Sequence, residues 1–192
     1  NIINALLFMA VSYLINALAF YLSVPFLVIL AFYSYTKRFS AVAHWVLGVC
    51  LGLAPIAGVI AVMGEVPLWS VLLSLGVLFW VAGFDLLYSI QDMDFDKAKN
   101  LHSIPAYFGL RATLWISRLC HILAVLFWGC FVYEAHLGAV AWIGVGLGAL
   151  MLSYEQYLVS VHINNIPKAF FVTNGYLGIM FFVCILLDSV VG

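Results

Sequence analysis

Long apolar runs, separated by short segments that hold most of the charge, recur from one end of this chain to the other. A helix rises 1.5 Å per residue, so about 20 such residues cross the ~30 Å hydrocarbon core of a bilayer. Proline, glycine and charge divide the chain into seven runs: Ile2–Phe20, Ser23–Tyr35, Ala43–Met63, Leu68–Tyr88, Leu110–Tyr133, Ala139–Val161 and Pro167–Val190. They lack the two-residue alternation of a barrel strand and are too long for one, so helix is the spanning element. The expectation is an all-α, polytopic transmembrane helix bundle, with residues 1–192 forming one transmembrane domain.

Composition removes the main competitor. Only 8% of the residues are charged, against about a quarter in a soluble domain, whose surface must be covered by hydrogen-bonding groups. A bilayer removes that need. The net charge of −1 leaves no basic face to neutralise phosphates, which excludes nucleic acid as a partner. Cys50, Cys120, Cys130 and Cys184 sit inside apolar runs without C-x-x-C spacing and read as small buried hydrophobes. His44, His102, His121 and His162 show no metal-ligand spacing. The chain opens directly into an apolar run, with no initiator Met, charged n-region or cleavage site. It therefore reads as the later part of a longer protein rather than as a chain with a signal peptide.

Counting crossings puts every Lys and Arg on one side. Lys37 and Arg38 follow the second run, Lys97, Lys99 and Arg111 flank the segment after the fourth, and Lys168 follows the sixth. Arg118 lies within snorkelling reach of the same side. The positive-inside rule makes that side cytoplasmic. Gly48-x-x-x-Gly52 and Gly144-x-Gly146-x-Gly148 offer small-residue faces for close helix packing.

The chemistry is concentrated in one segment on that side. Four of the eight acidic residues, Asp85, Asp92, Asp94 and Asp96, lie within twelve positions. If the fourth helix continues past the membrane surface, Asp92 and Asp96 fall about 40° apart, and Asp85 about 20° from Asp92. Tyr88 and Lys99 lie near the same stripe, and Asp94 points away. Converging carboxylates repel, and burying them unpaired is expensive. A divalent cation removes both penalties, and Mg²⁺ uses one or two carboxylates together with water and phosphate oxygens. Tyr33 to Arg38 forms a second polar cluster on the same side, suited to an anion held between metal and cationic side chains. The alternatives are a solvated acidic helix end paired with Lys97 and Lys99, and a Lys-Arg topology anchor. Within the membrane, Glu155 is the one acid well inside a late run, and Asn174 is placed to reach the same cavity.

The stretch F-D-L-L-Y-S-I-Q-D-M-D-F-D followed by L-H-S-I-P-A-Y-F-G resembles the second aspartate-rich motif of the UbiA superfamily of intramembrane prenyltransferases. Tyr33, Lys37 and Arg38 look like that family's patch after its fourth helix, and Lys168 to Tyr176 is similar to its last-helix signature. The resemblance implies a nine-helix fold, of which seven spans are present. It implies Mg²⁺-dependent transfer of a polyprenyl group from its diphosphate to a small aromatic acid, 4-hydroxybenzoate-like or naphthoate-like, in ubiquinone or menaquinone biosynthesis. Asp92 and Asp96 would hold the metal, and Lys37, Arg38, Lys99 and Asn174 would contact substrate. Asp85, Lys37, Arg38, Tyr33 and Tyr88 would act in the reaction, with the two tyrosines lining the cavity. The first aspartate-rich motif, of N-D-x-x-D-x-x-x-D type, does not occur here, so Asp92 and Asp96 would be half of the site and this chain alone could be inactive. His102 stands where several ubiquinone-pathway members carry Lys, and L-H-S-I-P is similar to a menaquinone branch. The implied location is a bacterial inner (plasma) membrane, multi-pass, with the aspartate motif cytoplasmic. The rival reading is a polytopic transporter using the aspartates as a cation or proton path.

Overall fold

The computed structural model describes residues 2–36, 38–162 and 166–191, without the side chains of residues 168–170. The regular elements among the described residues are all helical, with no strand among them. Seven longer helices follow the order of the apolar runs: α1 (Ile2–Ile15), α2 (Ala17–Thr36), α3 (Ala43–Met63), α4 (Leu68–Tyr88), then α6 (Ile104–Glu134), α7 (Ala139–Val161) and α9 (Asn174–Val191). A 3-10 turn (Ser89–Asp92) and the short α5 (Met93–Ala98) continue α4, and α8 (Ile166–Lys168) with a π-turn (Ala169–Thr173) leads into α9.

Five helical stretches among the described residues are long and apolar enough to cross a membrane: Ala17–Thr36, Ala43–Met63, Leu68–Ala98, Ile104–Glu134 and Phe171–Val191. This is an integral membrane architecture. Helix α7 has 23 residues, but its Ser153–Gln156 stretch lowers its apolarity. Helix α1, at 14 residues, rises only about 21 Å, short of the hydrocarbon thickness.

The expected boundary between the first two runs moves. Helical geometry breaks at Asn16, not near Leu22, because the Asn16 side chain satisfies a helix start. Its Oδ1 accepts from Ala19 N at 2.8 Å, and its Nδ2 donates to Ile60 O at 2.7 Å. The second run thereby becomes a full-length helix. Gly109, at φ 75° and ψ 176°, breaks α6 one residue before the expected start at Leu110. Ser103 caps the preceding turn by accepting from Ala106 N.

Helix α4 is the hub, packed against α3 on one side and α6 on the other, with Val81, Ala82, Leu86 and Leu87 buried. Lipid offers helices no hydrophobic drive to associate, so close packing must hold them together. The Gly48 and Gly52 face supplies it: a Cβ on Gly48 would meet the Leu78 carbonyl, and one on Gly52 would lie 2.8 Å from Ser74 O. Trp128 fills the centre of the bundle among α4, α6, α7 and α9, 1% exposed and 4.9 Å between ring centroids from Phe181. At the opposite end from Asp92, Asp188 of α9 caps α7, accepting from Gly138 N at 2.6 Å and Ala141 N at 3.1 Å.

Candidate functional site

Where the ends of α2 and α4 meet the start of α3, the chain encloses a cavity of about 340 Å³. Its walls are Tyr33 and Ser34 from the last turn of α2, Ala43 and His44 from the first turn of α3, Asp85 and Tyr88 from the end of α4, and Ser89 and Asp92 from the 3-10 turn. Four residues singled out from sequence, Tyr33, Tyr88, Asp85 and Asp92, thus share one cavity. Tyr88 also meets Phe171 of the π-turn edge-on, with ring centroids 6.5 Å apart.

The geometry by which the aspartates meet differs from expectation. Helix α4 does not run on as a single α-helix. Ser89, buried, donates its hydroxyl to Leu86 O at 2.8 Å, and the next residues wind as a 3-10 turn. Three residues per turn instead of 3.6 adds about 20° per residue, so four residues rotate everything beyond Asp92 by about 80°. Asp85 and Asp92 stay on one cavity, whereas Asp96 turns inward. It is fully buried and lines a neighbouring cavity of about 310 Å³ with Lys97, Asn100, His102 and Tyr107. Among the described residues no three His, Cys, Asp or Glu side chains stand close enough to hold one metal ion. The expected convergence of three carboxylates is therefore replaced by a pair on one cavity and a third behind it. Asp94 is exposed and lines neither cavity.

His44, set aside on sequence, is part of the site. Its Nδ1 lies 2.7 Å from Asp85 Oδ2, and its side chain is 3% exposed against 22% for Asp85. The second oxygen of Asp85 has no hydrogen-bond partner among the described residues. The contact joins residues 41 positions apart and exists only because α3 packs on α4.

The remaining predicted residues divide. Lys37 lies outside the described residues. Arg38 is exposed just beyond α2, its guanidinium 5.5 Å from the Tyr35 ring centroid. Lys99 is exposed at the end of α5. Asn174 is not among the residues lining the Asp85 cavity: buried, it accepts from Trp80 Nε1 at 2.8 Å and donates to Glu155 Oε1 at 3.2 Å. Asn174 thus forms a polar link among α4, α7 and α9. A carboxyl in the middle of α7 needs such a link, because nothing in lipid would satisfy it.

Residues 2–185 match the UbiA prenyltransferase family. The chain belongs to that family. A 4-hydroxybenzoate octaprenyltransferase from Azoarcus sp. (strain BH72) is 31% identical over 180 residues, covering 93% of this chain and 62% of the relative. One from Dechloromonas aromatica (strain RCB) is 27% identical over 189 residues, covering 98% and 64%. This UbiA-family chain thus spans under two thirds of the length of those curated relatives. The apo structure of a UbiA homolog from Aeropyrum pernix K1 superposes with a TM-score of 0.85 at 31% identity, covering 96% of this chain and 69% of that one. The helical order described above is therefore that of the UbiA fold.

Proposed function

We propose that the complete protein to which this chain belongs transfers a polyprenyl group from polyprenyl diphosphate to an aromatic acid acceptor, in quinone biosynthesis. The single observation that carries this reading is the cavity at one end of the bundle, where Asp85 and Asp92 face Tyr33 and Tyr88. Family membership and the activity for which the relatives are named support it. Those names favour a 4-hydroxybenzoate-like acceptor over a naphthoate-like one.

The donor set suits Mg²⁺. It consists of hard carboxylate oxygens on a polar cavity with room beside them, and it contains no thiolate. Mg²⁺ keeps several positions for water and phosphate, so two carboxylates from this chain are enough. In this reading Asp92 and Asp96 would hold the ion, Asp92 from the cavity it shares with Asp85 and Asp96 from the neighbouring one. When bound, the ion supplies charge neutralisation to the diphosphate leaving group. Lys37, Arg38 and Lys99 are the cations available to the diphosphate oxygens at this end. As the C–O bond breaks, positive charge develops on the allylic carbon, and the Tyr33 and Tyr88 rings offer it their π-faces. The acceptor ring carbon then forms the new C–C bond and releases its proton. His44 keeps the Asp85 carboxylate in one orientation throughout. The positive-inside rule puts this end in the cytoplasm, with Arg38, Lys97, Lys99 and Arg111.

A cation or proton path would need acids distributed along the spans. Glu155, the acid deep in α7, is instead closed in by Asn174 and is 1% exposed. The test is transfer by the complete protein, purified in detergent, from a labelled polyprenyl diphosphate to 4-hydroxybenzoate. Mg²⁺-dependent appearance of prenylated acid is expected. Its absence with every aromatic acid tried would overturn the reading.

A further inference from the structure

A second cavity, of about 450 Å³, lies away from Asp85 on the flank where α6 meets α7. One wall carries Arg118, His121 and Gln156, and apart from Ser153 the rest is apolar, chiefly Ile122, Val125 and Leu126. Along α6 the lining therefore passes from a cation, through a hydrogen-bonding ring, to hydrocarbon. The whole change takes eight residues, or about 12 Å.

The inner wall is fixed by hydrogen bonds. Ser117 Oγ donates to Gly83 O at 2.8 Å and accepts from Gln156 Nε2 at 2.7 Å. The same amide nitrogen lies 3.0 Å from His121 Nδ1. An amide N–H donates, so Nδ1 accepts and the ring is neutral, with its proton on Nε2. The ring lies against α4 where only glycine admits it, since a Cβ on Gly83 would collide with it. His121 thus adds no charge to the cavity. Glu155, next to Gln156 in sequence, is turned away toward Asn174.

The charge in the cavity is then that of Arg118 alone. Its guanidinium lies 5.0 Å from the Trp115 ring centroid, and it makes no ion pair among the described residues. Arg111, two turns earlier and within about 20° of the same stripe, is exposed and likewise without an ion pair. Arg118 lies within snorkelling reach of the surface where phospholipid phosphates sit, so a cation without a counter-charge there favours an anionic ligand. A small anion would leave the apolar part of the groove unfilled, so the occupant is an amphiphile.

We propose that this groove binds an anionic phospholipid, its phosphate on Arg118 with Arg111 at the rim, and an acyl chain along Ile122, Val125 and Leu126. The inference does not depend on the catalytic reading. The experiment takes the complete protein in detergent and adds phosphatidylglycerol or phosphatidylcholine of the same chains, reading retained lipid by native mass spectrometry and stability by thermal unfolding. Phosphatidylglycerol should be retained about tenfold more tightly than phosphatidylcholine, whose choline cation offsets its phosphate charge and faces Arg118 and Arg111, and should raise the unfolding temperature more. Arg118→Gln should erase the discrimination and Arg118→Lys should keep part of it. Val125→Trp, which fills the apolar part, should weaken retention of both lipids. Equal retention of the two lipids by the unaltered protein would overturn the proposal, as would full discrimination in Arg118→Gln. So would stabilisation by inorganic phosphate equal to that by the lipid, which would assign the site to a free anion. If Arg118→Gln fails to fold, the comparison of lipids on the unaltered protein and on Val125→Trp still decides.

Discussion

His44 Nδ1 lies 2.7 Å from Asp85 Oδ2 and ties the first turn of α3 to the last turn of α4 across the candidate cavity. The imidazole is almost wholly buried, so it holds the carboxylate in one rotamer and leaves the other oxygen for the cavity. Partners of this kind, one step behind a reacting or ligating group, are commonly worth ten- to a hundredfold in activity. His44→Leu in the complete protein should lower kcat about tenfold or more with a smaller change in KM. His44→Gln, which keeps a donor, should recover much of the loss. Steady-state kinetics on the pair of variants checks this, and equal activity of both with the unaltered protein would show that the contact is only structural.

Asp96 is buried behind Asp92 rather than beside it. Both Asp92→Asn and Asp96→Asn should abolish Mg²⁺-dependent transfer while leaving membrane insertion intact. They should differ in stability. Asp92 is exposed on its cavity, so its variant should shift the unfolding temperature less than a change at the buried Asp96 does. Thermal unfolding of the two variants side by side makes the comparison.

Asn174 holds Trp80 and Glu155 together in the interior. Asn174→Leu should destabilise the bundle by about 1–3 kcal/mol, because it strands a half-buried indole N–H and a buried carboxyl. The expected signature is a lower unfolding temperature with KM for both substrates unchanged. A raised KM at unchanged stability would return Asn174 to the substrate.

Asp188 accepts two backbone N–H groups at the start of α7, at 2.6 and 3.1 Å. Asp188→Ala should lower stability by about 1–2 kcal/mol, the range for loss of a helix cap. The site lies at the far end of the bundle, so kcat at low temperature should not move. Denaturation in detergent alongside activity separates the two effects.

The helical class and the order of the helices were legible because lipid admits little else, and the runs are long. What was not legible depends on packing between distant segments. His44, Gly48 and Gly52 recur every four residues and so form one stripe of α3; with Gly48 against Leu78 and Gly52 against Ser74, that stripe runs antiparallel to α4 and carries His44 up to the Asp85 end. The Gly-x-x-x-Gly face was visible, and extending it by one turn would have pointed to His44. The 3-10 turn gave no comparable signal, since Ser89 to Asp92 would also suit an α-helix. It rotated Asp96 away from the position that a 100° step predicts. Asn16 was visible only as a polar residue in an apolar run, and its capping role required Ala19 and Ile60 in place.

The central claim is that the Asp85–Asp92 cavity takes a diphosphate together with Mg²⁺. Its most direct test is prenyl transfer by the complete protein and its Asp92→Asn variant, each measured across a Mg²⁺ titration with chelator as the zero point. Transfer by the unaltered protein should rise from background with Mg²⁺, and the variant should stay at least about a hundredfold lower at every concentration. Near-normal transfer by Asp92→Asn, or full activity of the unaltered protein in chelator, would contradict the account.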